Sequence, residues 1–106
     1  MKEKSKYRKS LDDLVNDKEE KIIIDLRKKE DYRKDTYPGA INIDYDEFYK
    51  YLSLLPKDRR IYLFCYTGVS ADEIAEDLSG KGYDIYSIEE GYRAVVKMNV
   101  RKYLAM

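Results

Sequence analysis

The sequence predicts an α/β layer fold: a small, mostly parallel central sheet with helices on both faces. Three observations carry this expectation. Residues 22–26 and 60–64 are short runs, apolar almost throughout and rich in branched side chains; that suits strands buried on both faces, as parallel strands are. Segments with apolar residues at helical spacing fall between and after them. Strands and helices therefore alternate along the body of the chain, which favours a parallel sheet with crossover helices.

The elements follow in order. Ser10-Leu11-Asp12-Asp13 reads as a helix start, with a hydroxyl cap and a carboxylate three residues on. Leu11, Leu14 and Val15 give it an apolar face. Residues 22–26 form the first inner strand, and 28–34 a short helix. Tyr37-Pro38-Gly39 is a turn, with a short extended piece over 40–43. Asp44 or Asp46 caps a helix that carries Phe48, Leu52 and Leu55 on one face and stops at Pro56. Residues 60–64 form the second inner strand and run straight into Cys65. A helix over 70–81, a strand over 84–88 and a last helix from Glu89-Glu90-Gly91-Tyr92 to about residue 104 complete the chain. Residues 1–106 read as one domain, with 1–9 partly frayed around a short strand near Tyr7.

Composition narrows the function. Hydrophobic residues make up 43% of the 106 residues, enough for one core despite a charged content of 40%. Lys plus Arg balances Asp plus Glu at 21 each, so neither a basic excess nor a basic stripe points to nucleic acid. The chain has no histidine and one cysteine. It thus lacks a Ser-His-Asp or Cys-His pair, an internal disulfide and a cysteine-rich metal set. No metal and no cofactor is implied. No apolar stretch follows the charged start Met1-Lys2-Glu3-Lys4 and no run is long enough for a membrane span, so a cytoplasmic, reduced setting is expected. The twelve tyrosines read as half-buried framework.

Cys65 stands where ligands bind in such sheets, beyond the carboxyl end of an inner strand. Read locally, it fits two roles. A lone cysteine ending an apolar strand is commonly an inert core residue. The alternative is a thiolate. A cysteine with an ordinary pKa of ~8.5 is only a few per cent thiolate near neutrality. Here Gly68 allows a tight turn whose backbone N–H groups point inward as an anion nest, and the following helix adds its positive end. Tyr66, Thr67, Gly68, Val69, Ser70 and Ala71 would form that cradle. Such a thiolate attacks a sulfane sulfur and holds it as a persulfide, with no histidine needed.

Four segments together resemble a single-domain rhodanese, the sulfurtransferase family. Asp25-Leu26-Arg27 with Glu30-Asp31-Tyr32 resembles the family's strand ending in Asp-x-Arg and its short helix. Tyr37-Pro38-Gly39-Ala40-Ile41-Asn42-Ile43 is similar to its His-Ile-Pro-Gly-Ala-x-Asn-Ile turn. Cys65-x-x-Gly68 resembles the active-site loop. Glu90-Gly91-Tyr92-Arg93-Ala94 resembles the Gly-Gly-Tyr/Phe-x-Ala-Trp segment. In this order and spacing they span nearly the whole chain. The resemblance implies a rhodanese-like fold and persulfide chemistry on Cys65. A small-molecule sulfur donor would load it, and a thiol, cyanide or a protein acceptor would unload it. Asp25 and Arg27 would stand behind the site, more as braces of loops than as substrate contacts.

Two positions depart from the family pattern. Tyr37 replaces a mainly structural histidine. Ser70 stands where many active rhodaneses carry a loop arginine, and Tyr66, Thr67 and Val69 are neutral too. Ser70 reads first as a helix cap, paired with Glu73 in a capping box. Without a loop cation, only backbone dipoles and Arg27 would offset the charge of thiosulfate, which Asp72 and Glu73 would oppose. The expectation is weak thiosulfate use, with polysulfide or a persulfidated thiol as the better donor. Two other readings compete: a non-enzymatic sulfur-sensing or regulatory module, and a phosphatase-type Cys-loop enzyme, which would need the missing arginine.

Overall fold

A computed structural model describes residues 6–104. Its sheet has five strands in the order β1-β5-β4-β2-β3, and every neighbouring pair is parallel. The strands are β1 (Arg8–Lys9), β2 (Lys21–Asp25), β3 (Ile41–Asn42), β4 (Arg60–Phe64) and β5 (Ile85–Ile88). The helices are α1 (Leu11–Asn16), α2 (Lys29–Lys34), α3 (Val69–Ser79) and α4 (Tyr92–Leu104), with a 3-10 segment over Tyr45–Leu54.

The apolar inner strands are explained by two cores. Successive side chains of a strand point to opposite faces. Ile24, Ile61 and Leu63 pack on one face with Phe48 of the 3-10 segment and Ile74, Ala75 and Leu78 of α3. Ile23, Tyr62 and Phe64 pack on the other with Leu11 and Leu14 of α1 and Val95 of α4. Helical layers thus cover both faces, as expected.

Several boundaries differ from the sequence reading. The expected fraying over 1–9 falls partly on residues outside those described. The rest is tied down: β1 pairs with β5, and the Tyr7 carbonyl accepts from Ser87 N–H at 2.8 Å. The Ser10 cap forms as a capping box with Asp13. Asp44 caps the next segment by accepting from Asp46 N–H, but ten residues of 3-10 turn follow instead of an α-helix. Phe48 is its one fully buried anchor, and aromatic residues are modest helix formers.

The main correction concerns Ser70. Helix α3 is capped by Gly68, not by Ser70, and it begins at Val69. Gly68 sits at φ 92°, a left-handed conformation that side chains disfavour. That turn lets the Gly68 carbonyl accept from Asp72 N–H at 3.1 Å. Ser70 consequently lies inside the first turn, where it caps nothing. Glu73 also makes no capping box; its carboxylate accepts from the Tyr45 hydroxyl at 2.8 Å.

Candidate active site

The central strand β4 delivers Cys65 to the carboxyl edge of the sheet, where the loop after β2 arrives alongside it. Asp25 pairs in register with Phe64, and Leu26 N–H donates to the Phe64 carbonyl at 2.9 Å. Cys65 is 4% exposed. Its Sγ accepts from Gly68 N–H at 3.1 Å and from Ala71 N–H at 3.4 Å. Two backbone dipoles therefore converge on the sulfur, one from the tight turn and one from the first turn of α3. Thr67 Oγ1 accepts from Val69 N–H at 3.4 Å and braces the loop from within.

The loop is wedged from behind. A Cβ on Gly68 would lie 2.9 Å from the Glu89 carbonyl oxygen, and one on Gly91 only 2.4 Å from the Tyr66 carbonyl oxygen. Tyr66 O also accepts from Tyr92 N–H at 3.3 Å. The Tyr66 ring packs edge-on to Tyr92, and its hydroxyl accepts from Lys28 N–H at 3.2 Å and hydrogen-bonds to Asp31.

A cavity of about 180 Å³ opens beside the sulfur. Cys65, Ser70, Tyr66 and Tyr45 line it together with Lys28, Asp44 and Asp46. Val69 points outward at 62% exposure, and Ala71 is fully buried. Lys28 is the only cation among these lining residues. Its ammonium lies 3.1 Å from Asp44 and 3.1 Å from Asp46. Hydrogen bonds to these two carboxylates hold it above the ordinary lysine range. A larger apolar groove of about 650 Å³ runs between β3 and the 3-10 segment, but no cysteine, serine or threonine lines it.

Asp25 and Arg27 are 0% and 1% exposed and do not line the cavity. Arg27 Nε and Nη2 donate to the Asp25 carboxylate at 2.9–3.2 Å, and Nη2 reaches the Asp35 carbonyl at 2.6 Å. The guanidinium stacks over the Tyr92 ring at 4.9 Å. Burial opposes the Arg27 charge, but Asp25 and Asp35 more than restore it, so its pKa is raised. The pair ties the loop after β2 to the end of α2 at Asp35 and to the start of α4 at Tyr92. Arg27 is therefore a brace, as the sequence reading favoured, and does not line the cavity where it would offset the charge of a donor. Asp72 does not oppose one either: Arg8 binds it at 3.0 and 2.7 Å.

Sequence reasoning missed Lys28, Asp44, Asp46, Tyr45 and Gly91. A signal for Lys28 existed. If β2 lies beside β4 in a parallel sheet, the residues just past Asp25 must share an edge with Cys65.

Residues 8–98 match the family described as the rhodanese-like domain. The tRNA sulfurtransferase of Desulfurococcus amylolyticus is 37% identical over 91 residues, covering 83% of this chain and 17% of that protein. Thiosulfate sulfurtransferase GlpE of Shewanella oneidensis is 28% identical over 73 residues, 68% of this chain and 72% of GlpE. A rhodanese-related protein from Thermoplasma volcanium superposes with a TM-score of 0.77 at 21% identity, over 86% of this chain and 91% of that one. The chain belongs to the rhodanese-like domain family. It spans only 17%, 15% and 30% of the length of three curated relatives that it matches. Among the described residues, no helix is long and apolar enough to cross a membrane.

Proposed function

We propose that this chain is a cytoplasmic sulfurtransferase that carries sulfane sulfur as a persulfide on Cys65. The observation that carries the reading is the pair of N–H groups aimed at Sγ from Gly68 and Ala71, at the floor of a small cavity. They favour negative charge on that sulfur before transfer and solvate the persulfide afterwards. In the loading step the Cys65 thiolate attacks the outer sulfur of the donor. A new S–S bond forms, the donor's own S–S bond breaks, and the leaving group departs with that electron pair. In the unloading step the acceptor, a thiolate or cyanide, attacks the terminal sulfur, and Cys65 departs as thiolate. No external oxidant is needed. Cys65 is the only cysteine, so no second thiol resolves the persulfide, and discharge goes to a small molecule or to a partner protein.

The neutral loop favours a persulfidated thiol or polysulfide over thiosulfate as donor. Single-turnover loading with the three donors tests this. The expected order puts thiosulfate last, and thiosulfate loading much faster than either of the others would overturn it.

A further inference from the structure

The cavity beside Cys65 holds one cation that does not face an incoming donor unpaired. Lys28 lies within 3.1 Å of both Asp44 and Asp46. These three charges sum to minus one at the mouth, and the nearby Tyr45 hydroxyl is bound to the Glu73 carboxylate at 2.8 Å. Asp44 is the anchored member of the clamp, while the Lys28 and Asp46 side chains are 54% and 70% exposed. Asp44 is 24% exposed, and its Oδ1 accepts from Asp46 N–H at 3.0 Å, which anchors the start of the 3-10 segment.

We infer that Asp44 and Asp46 determine donor specificity: by holding Lys28, they make the Cys65 mouth reject dianionic sulfur donors and admit a persulfidated thiol. Thiosulfate is rejected most strongly, because it brings two negative charges to a mouth that is already negative. This inference rests on the sulfur-carrier reading of Cys65 and narrows its donor class. The loop contributes no cation, so Lys28 is the group that would recognise an anion if it were released.

The test reads charge selection first without sulfur chemistry. Cys65 is the only thiol, so its alkylation by anionic iodoacetate and by neutral iodoacetamide reports the potential at Sγ. Asp44→Asn/Asp46→Asn removes two negative charges from the mouth, and the ratio of the iodoacetate to the iodoacetamide rate rises at least about tenfold over wild type, a change of ~1.4 kcal/mol. Asparagine at residue 44 still caps the 3-10 segment. Lys28→Met then separates release of the lysine from mere loss of acidity. If the aspartates hold Lys28, removing it lowers the ratio far more in the double variant than in wild type, a non-additive result. Equal effects in both backgrounds, or a ratio within about twofold of wild type in the double variant, would overturn the inference. Persulfide loading from thiosulfate and from an alkyl persulfide completes the test, and the thiosulfate-to-persulfide loading ratio should move with the alkylation ratio. Absence of loading in every variant, with the alkylation ratio shifted, would count against the sulfur carrier itself. Normal loading with unmoved ratios would count against the clamp alone.

Discussion

Gly91→Ala separates a structural account of the Cys65 loop from a purely local one. Gly91 lies far from Cys65 in the chain, yet its Cα faces the loop backbone. An added Cβ would sit 2.4 Å from Tyr66 O, 3.3 Å from Tyr66 C and 3.4 Å from Thr67 Cα. Ordinary contact begins near 3.5 Å, so the loop or the start of α4 must retreat by about 1 Å. Backbone lies on both sides, and no flexible side chain can absorb the change. Overpacking of this kind costs about 1–3 kcal/mol. Its effect on the sulfur is larger in proportion. The cradle distances are 3.1 Å from Gly68 N–H and 3.4 Å from Ala71 N–H, so a displacement of about 1 Å takes the weaker one out of hydrogen-bond reach. Misplacement on this scale costs up to about 100-fold in rate. Stopped single-turnover loading followed by intact mass would read the rate, and urea unfolding followed by tyrosine fluorescence would read stability. A variant that loads at the wild-type rate with an unchanged urea midpoint would refute the reasoning.

Two further outcomes follow from the buried polar groups. Arg27→Met leaves the fully buried Asp25 without its guanidinium, and a stability loss of about 3–5 kcal/mol is expected in urea unfolding; a loss below about 1 kcal/mol would contradict the bracing role. The Asp17 carboxyl is lowered to about 2 by the Tyr62 hydroxyl, against the effect of burial, with help from the Glu19 N–H and Arg60. A carboxyl with a depressed folded pKa adds stability that is complete above its unfolded value near 3.9 and is lost as pH falls towards about 2. Screening at this pair near the surface reduces the contribution to about 1 kcal/mol. The stability gap between wild type and Asp17→Asn should therefore close between about pH 5 and pH 2, and a constant gap would contradict the assignment.

Much of this architecture was legible because β2 and β4 are buried on both faces, which leaves an unbroken apolar signature. The edge strands left a fainter mark: the short strand expected near Tyr7 and the extended piece over 40–43 coincide with β1 and β3, but at two residues each they carry no periodicity, and their pairing with β5 and β2 was not readable. The Ser70 misreading has a specific cause. Ser-x-x-Glu is a sound capping pattern, but the left-handed Gly68 starts the helix earlier. The nest around Cys65 was anticipated from Gly68. The charges facing it were not, since Lys28 and Asp44 come from other loops and meet only through the register of β2 beside β4 and the 3-10 segment beyond β3. Arg27 looked available as a cation because sequence does not reveal that Asp25, Asp35 and Tyr92 enclose it.

Sulfur carriage by this domain depends on Cys65 accepting sulfane sulfur. The most direct measurement is intact-mass analysis after brief exposure to an alkyl persulfide, on wild type and on Cys65→Ser. Wild type should gain the mass of at least one sulfur atom, lose it on addition of cyanide with release of thiocyanate, and the variant should gain none. Wild type that gains no sulfur from any sulfane donor, or a variant that gains as much, would contradict it.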